Sequence, residues 1–98
     1  VKLRNTSTLE EVREAIATYP RLDLYSSPNP FMYVTDEPDR PQPRLDRDRG
    51  NGMTITVGRL YPDNIYDYRF VGLSHNTLRG AAGAAVLNAE LLISKGLI

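Results

Sequence analysis

Three stretches of the chain carry an ordered apolar pattern, and a long polar connector separates the first from the other two. Leu9, Val12, Ala15, Ile16 and Tyr19 recur at steps of three or four, which is one helical stripe, while Glu10, Glu11, Arg13 and Glu14 take the side expected to face water. Ser7-Thr8-Leu9-Glu10 reads as a capping box at the start of this helix, and Tyr19-Pro20 ends it, because the residue before proline avoids helical angles. After an Asn51-Gly52 turn, Met53, Ile55 and Val57 alternate with Thr54 and Thr56, the pattern of a half-buried strand, which Gly58-Arg59 ends or bulges. Tyr61-Pro62-Asp63-Asn64 is short enough to turn that strand into an antiparallel hairpin with Tyr66 to Leu73. In the last stretch Ala84, Leu87, Leu91 and Ile93 fall close to one stripe of a final helix, and Gly96 after Lys95 is its stop signal.

The connector from Arg21 to Asn51 holds five of the seven prolines, broken by one short strand, Phe31-Met32-Tyr33-Val34. Val1-Lys2-Leu3-Arg4 reads as the tail of a strand. Strands and helices do not alternate regularly, so the class is α+β rather than a doubly wound sheet. The chain has no internal repeat, starts at Val1 without an initiator Met, and is expected to be a fragment. Its 98 residues make one small domain at most.

Composition narrows the chemistry. Lysine plus arginine and aspartate plus glutamate are twelve each, so no overall field draws nucleic acid or an anionic membrane. No run approaches the roughly 20 apolar residues of a membrane span, and a soluble, intracellular protein is expected. Cysteine is absent and His75 is the single histidine, which argues against disulfides, a thiol nucleophile and a metal site.

Two regions carry candidate chemistry. Asp39, Arg40, Arg44, Asp46, Arg47, Asp48 and Arg49 alternate in sign within the connector. They read either as a solvated loop stitched by ion pairs worth about 0.5 kcal/mol each, or as a loop in which Arg44 or Arg47 reaches a partner subunit or an acidic substrate. Ser74-His75-Asn76-Thr77 then joins the last strand to the final helix, with Asn76 or Thr77 able to cap it. The small residues Gly80 to Ala85 allow either tight helix packing or the close approach of a flat ligand.

Leu73-Ser74-His75-Asn76-Thr77, Arg79-Gly80-Ala81-Ala82-Gly83 and Leu87-Asn88-Ala89-Glu90 together resemble the C-terminal end of aspartate-semialdehyde dehydrogenases of the fungal and archaeal branch. The runs Asp39 to Asp48 and Thr56-Val57-Gly58-Arg59-Leu60 agree in order and spacing. The resemblance implies the C-terminal part of a glyceraldehyde-3-phosphate-dehydrogenase-like catalytic and dimerisation domain, mainly antiparallel. Residues 1–74 would be the later part of that domain, and residues 75–98 a returning helix that packs on an NADP-binding domain absent from this chain.

By that resemblance the parent is a cytoplasmic homo-oligomer using NADPH to convert β-aspartyl phosphate to aspartate semialdehyde and phosphate, for lysine, threonine, methionine and isoleucine synthesis. A cysteine thiolate and a histidine base perform that chemistry, and neither matches a residue of this chain, so it carries no catalytic residue and is expected to be inactive alone. Asn76 matches the asparagine that holds the nicotinamide carboxamide, and Gly80 the position where the helix start approaches the dinucleotide. His75 is expected to make a structural hydrogen bond near the cofactor. Arg59 matches a recurring arginine whose role, in substrate or subunit contact, stays open. A malonyl-coenzyme-A reductase shares the framework, and a non-catalytic interaction module is the alternative from another class.

Overall fold

The computed structural model describes residues 1–98. Its elements follow in the order α1 (Leu9–Ala17), β1 (Met32–Val34), α2 (Pro43–Asp46), β2 (Ile55–Pro62), β3 (Tyr68–Leu73), a π-helical turn (Leu78–Ala82) and α3 (Gly83–Ser94). The α+β class and the hairpin are as expected. The three strands form one mixed sheet in the order β1-β2-β3, with β1 parallel and β3 antiparallel to β2.

α1 starts one residue later than the Ser7 box. Thr8 Oγ1 accepts from the Glu11 amide at 3.2 Å and donates to the Glu11 carboxylate at 3.1 Å, so the box is Thr8 to Glu11. Ser7 is taken by another bond, its carbonyl accepting from the Tyr68 hydroxyl of β3. Leu9, Val12 and Ile16 are half-buried as expected, but Ala15 and Tyr19 are exposed. Arg13, expected to face water, is half-buried and paired with Asp36. Val1 to Arg4 is not a strand, although the Val1 carbonyl accepts from the Asp67 and Tyr68 amides at 3.0 and 3.3 Å.

β2 is the central strand and is covered more fully than its alternation implied. Thr54 and Thr56 are 1% and 0% exposed, so the threonine side is not the solvent side. The reason lies in the connector: Thr54 Oγ1 donates to the Pro30 carbonyl at 2.7 Å, and Gly58, on the same face as Thr56, leaves no room for a Cβ against Arg40 and Pro41. The bulge expected at Gly58-Arg59 is present. Gly58 faces Val71 and Tyr61 faces Arg69, two residues against one, and Arg59 takes φ +51° to absorb the extra residue. Asp63 closes the hairpin by accepting from the Ile65 and Tyr66 amides, bonds that hold its carboxyl below the usual range.

The buried apolar core is confined to Met53, Val57, Leu60 and Leu87, while Phe70, Val71, Ile93 and Leu97 remain exposed. The slab is 19 Å thick along its shortest axis, too thin to enclose the outer side of β3 or of α3. Of the expected α3 stripe, Leu87 is buried and Ala84 and Leu91 half-buried, but Ile93 is 62% exposed. Glu90 takes the inward place instead, accepting from the Ser26 amide at 2.9 Å and hydroxyl at 2.7 Å. The helix stops as expected, with Gly96 at φ +69° and its amide bonded to the Ile93 carbonyl at 3.0 Å.

Candidate functional site

The end of β3 and the start of the π turn form the wall of a cleft. Gly52, at φ +80°, lets the Asn51-Gly52 turn approach the junction, since a Cβ there would meet Leu78 and His75. Gly83 has the same function one turn on, against Met53 and, at 2.8 Å, the Leu78 carbonyl. Arg79 lays its guanidinium 4.5 Å from the Phe31 ring centroid and so faces the protein rather than the cleft.

Neither Asn76 nor Thr77 caps the helical segment through its side chain. His75 does so instead. Its Nδ1 accepts from the Thr77 and Leu78 amides, both at 3.3 Å, which leaves the proton on Nε2. The expected structural hydrogen bond of His75 is therefore present as a turn cap. The Asn76 side chain, released from capping, makes no hydrogen bond within the chain and is exposed. A Cβ added at Gly80 would meet nothing nearer than the His75 carbonyl at 3.6 Å and Asn76 Oδ1 at 3.8 Å, so intrachain packing alone does not require glycine there.

Ser74, His75 and Asn76 share a cleft of about 260 Å³ with Leu73, Pro43 and Arg47. The connector thus contributes one of its arginines to the junction. Arg44 is exposed and lines no cleft, whereas Arg59 belongs elsewhere: its Nη2 donates to the Pro41 carbonyl at 3.3 Å, and it borders a groove of about 230 Å³ with Tyr61, Arg69, Phe70 and Val71.

What holds Arg47 in place is a cluster that the alternating charges did not single out. Asp46 is 0% exposed. It accepts from Arg40 Nη2 and Nε at 2.5 and 2.9 Å, from Arg49 Nη2 at 2.8 Å and from the Gln42 amide at 2.8 Å. The Arg40 fork, with help from the Gln42 amide and Arg49, holds the Asp46 carboxyl well below the usual carboxylate range. Arg40 also reaches Glu37 at 3.1 Å, and Arg49 lies 3.8 Å over the Tyr33 ring. This is the stitched-loop reading, strengthened by burial.

A small mixed sheet with an open, donor-lined cleft at one strand end and exposed apolar faces defines a small α+β domain. A family model described as semialdehyde dehydrogenase, dimerisation domain, matches residues 1–79. The chain is 53% identical over 91 residues to the aspartate-semialdehyde dehydrogenase of Archaeoglobus fulgidus, covering 93% of this chain and 26% of that protein. It is 50% identical over 105 residues to the Schizosaccharomyces pombe enzyme, covering 100% and 29% respectively. A crystal structure of aspartate semialdehyde dehydrogenase with NADP from Candida albicans matches with a TM-score of 0.83 and 44% identity, over 98% of this chain and 28% of that one. The chain belongs to the semialdehyde dehydrogenase family, as its dimerisation domain, and spans 26 to 29% of the length of these relatives.

Proposed function

We propose that this chain works as part of a cytoplasmic, NADP-dependent aspartate-semialdehyde dehydrogenase, which reduces β-aspartyl phosphate to aspartate semialdehyde and phosphate in the supply of lysine, threonine, methionine and isoleucine. The observation that carries this reading is the unengaged Asn76 amide, lining an open cleft beside Gly80 in a fold that matches an enzyme solved with NADP. An amide both donates and accepts, so Asn76 can hold a carboxamide by both of its polar atoms and fix which ring face is offered. With no side chain at Gly80 to stand against Asn76 Oδ1, the helix start stays clear for the same ligand. Bound NADPH supplies the hydride.

The thiolate and base belong to other parts of the protein, because these residues include no cysteine and His75 Nδ1 is committed to the turn. Outward Val86, Leu92 and Ile93 of α3, with Leu97 just beyond it, present apolar surface suited to packing on the nucleotide-binding domain. Val71 with Tyr61 on one side of β3, and Phe70 on the other, leave apolar surface suited to a second copy in a homo-oligomer. The names of the relatives support aspartyl phosphate over malonyl-coenzyme A as substrate. The full-length protein is expected to reduce NADP when given aspartate semialdehyde and phosphate, and the 98-residue chain alone to be inactive. Absence of phosphate-dependent NADP reduction by the full-length protein would sink the reading.

A further inference from the structure

The arginines of the connector divide by what they touch. Arg40 and Arg49 spend their guanidinium groups on Asp46, and Arg49 also stacks on Tyr33. Arg47 is engaged far less: it forms a single loose ion pair with its neighbour Asp48, 3.5 Å from Nε, with both side chains largely in solvent, and it makes no side-chain hydrogen bond. Its backbone is nevertheless fixed, because the Arg47 amide donates to the Pro43 carbonyl at 3.1 Å and the preceding residue is the buried Asp46. The anchored backbone fixes the point from which the side chain reaches out, and only its rotamers remain to be ordered when a ligand binds.

The cleft it enters offers donors and no carboxylate. Ser74 brings a hydroxyl, His75 an Nε2 proton by virtue of its capped Nδ1, and Asn76 an amide, while Arg47 is the only formal charge on the lining. A lining with several donors and one cation suits an oxygen-rich anion, for which a guanidinium is a strong side-chain partner.

We propose that Arg47 supplies the charge of an oxyanion subsite in the cleft lined by Asn76, taking a phosphate group. The subsite deepens the dehydrogenase reading and rests on it for the source of the group, which is either the phosphate substrate or a phosphate of the dinucleotide. Arg47 binds in both cases. Being exposed and paired only with the exposed Asp48, it can be replaced without disturbing the Asp46 cluster.

The test is calorimetric titration of the full-length protein and of its Arg47→Gln and Arg47→Lys variants with inorganic phosphate and, separately, with NADP. Arg47→Gln is expected to weaken one of the two by about tenfold or more, with Arg47→Lys intermediate because it keeps charge but loses the fork. Weakened phosphate binding with NADP unchanged assigns the substrate side; weakened NADP binding with phosphate unchanged assigns the dinucleotide. Affinities unchanged for both, or a wild-type protein that binds neither, overturn the proposal. Binding is read without turnover, so an Arg47-dependent affinity in a protein that fails to reduce NADP would sink the dehydrogenase reading and leave the subsite standing.

Discussion

Two polar regions share the connector between Glu37 and Gly50, and they treat their hydrogen-bonding groups in opposite ways. Around Asp46 four donors close on one buried carboxylate. Around Asn76 the side chains of Ser74 and Asn76 line an open cleft and make no hydrogen bond within the chain, and Arg47 beside them has only a loose, exposed pair with Asp48. The difference follows burial. A charge taken from water must be paired or it costs several kcal/mol, whereas a group meant for a ligand must keep its bonds unmade. On the proposed reading the closed region is the support and the open region the site, with Asp46 and Arg47 adjacent in sequence and opposite in kind.

The comparison is broken most forcefully at its closed end. Asp46→Ala removes the common acceptor of Arg40 and Arg49 and is expected to lower stability by about 3 kcal/mol in denaturant unfolding of the full-length protein. A loss under about 0.5 kcal/mol would place the cluster among ordinary surface pairs. Its pH dependence has a definite sign. Arg40, with Gln42 and Arg49, depresses the folded-state value, so the contribution is complete above the unfolded carboxylate pKa of about 3.9 and is lost as pH falls below it. Asp46→Ala should accordingly flatten the acid limb of the stability profile.

At the open end, Asn76→Ala is expected to raise the NADP KM of the full-length enzyme by about tenfold while stability stays within about 0.5 kcal/mol. A matching fall in stability would make Asn76 part of the support instead. Glu90→Ala, which frees the Ser26 amide and hydroxyl, should cost about 1 kcal/mol and speed hydrogen exchange in α3 with little change in the sheet. Arg44→Ala is the smallest, with stability within about 0.5 kcal/mol and unaltered affinity for both NADP and phosphate. A tenfold loss there would erase the distinction drawn between Arg44 and Arg47.

Local spacing foretold what local forces decide. The α1 stripe, the bulge at Gly58-Arg59, the hairpin and the Gly96 stop each depend on residues a few positions apart, and each was legible. Thr56 was misread because its cover comes from the connector, which arrives at β2 from far along the chain. Glu90 could not be placed inward without Ser26, 64 residues away, to satisfy its carboxylate. Asp46 stands among acids of like spacing, and nothing local marks it as the buried one. Of the candidate site, the motif runs drew attention to Asn76 and Gly80, which the structure sets at the cleft and beside it, while the helical cap expected of Asn76 or Thr77 fell to His75, whose Nδ1 comes to 3.3 Å from both the Thr77 and the Leu78 amides.

The last helix couples chain length to direction. Gly80 bonds back to His75, Ala82 to Thr77 and Gly83 to Leu78, each across five residues, one more than an α-helix uses. The π turn holds its extra residue within a single circuit, so α3 keeps the direction an ordinary α turn would give it. Deleting Ala84 or Ala85, beyond the turn, has no such slack: each residue subtends about 100° of helix, so the Ser74 to Asn76 turn would swing to a different side of the rest of α3. In an alignment that deletion is a single gap in a run of small, interchangeable residues; in the molecule it is a misdirected asparagine. The alanines are free to vary in kind within limits of size, but their number is part of the aim.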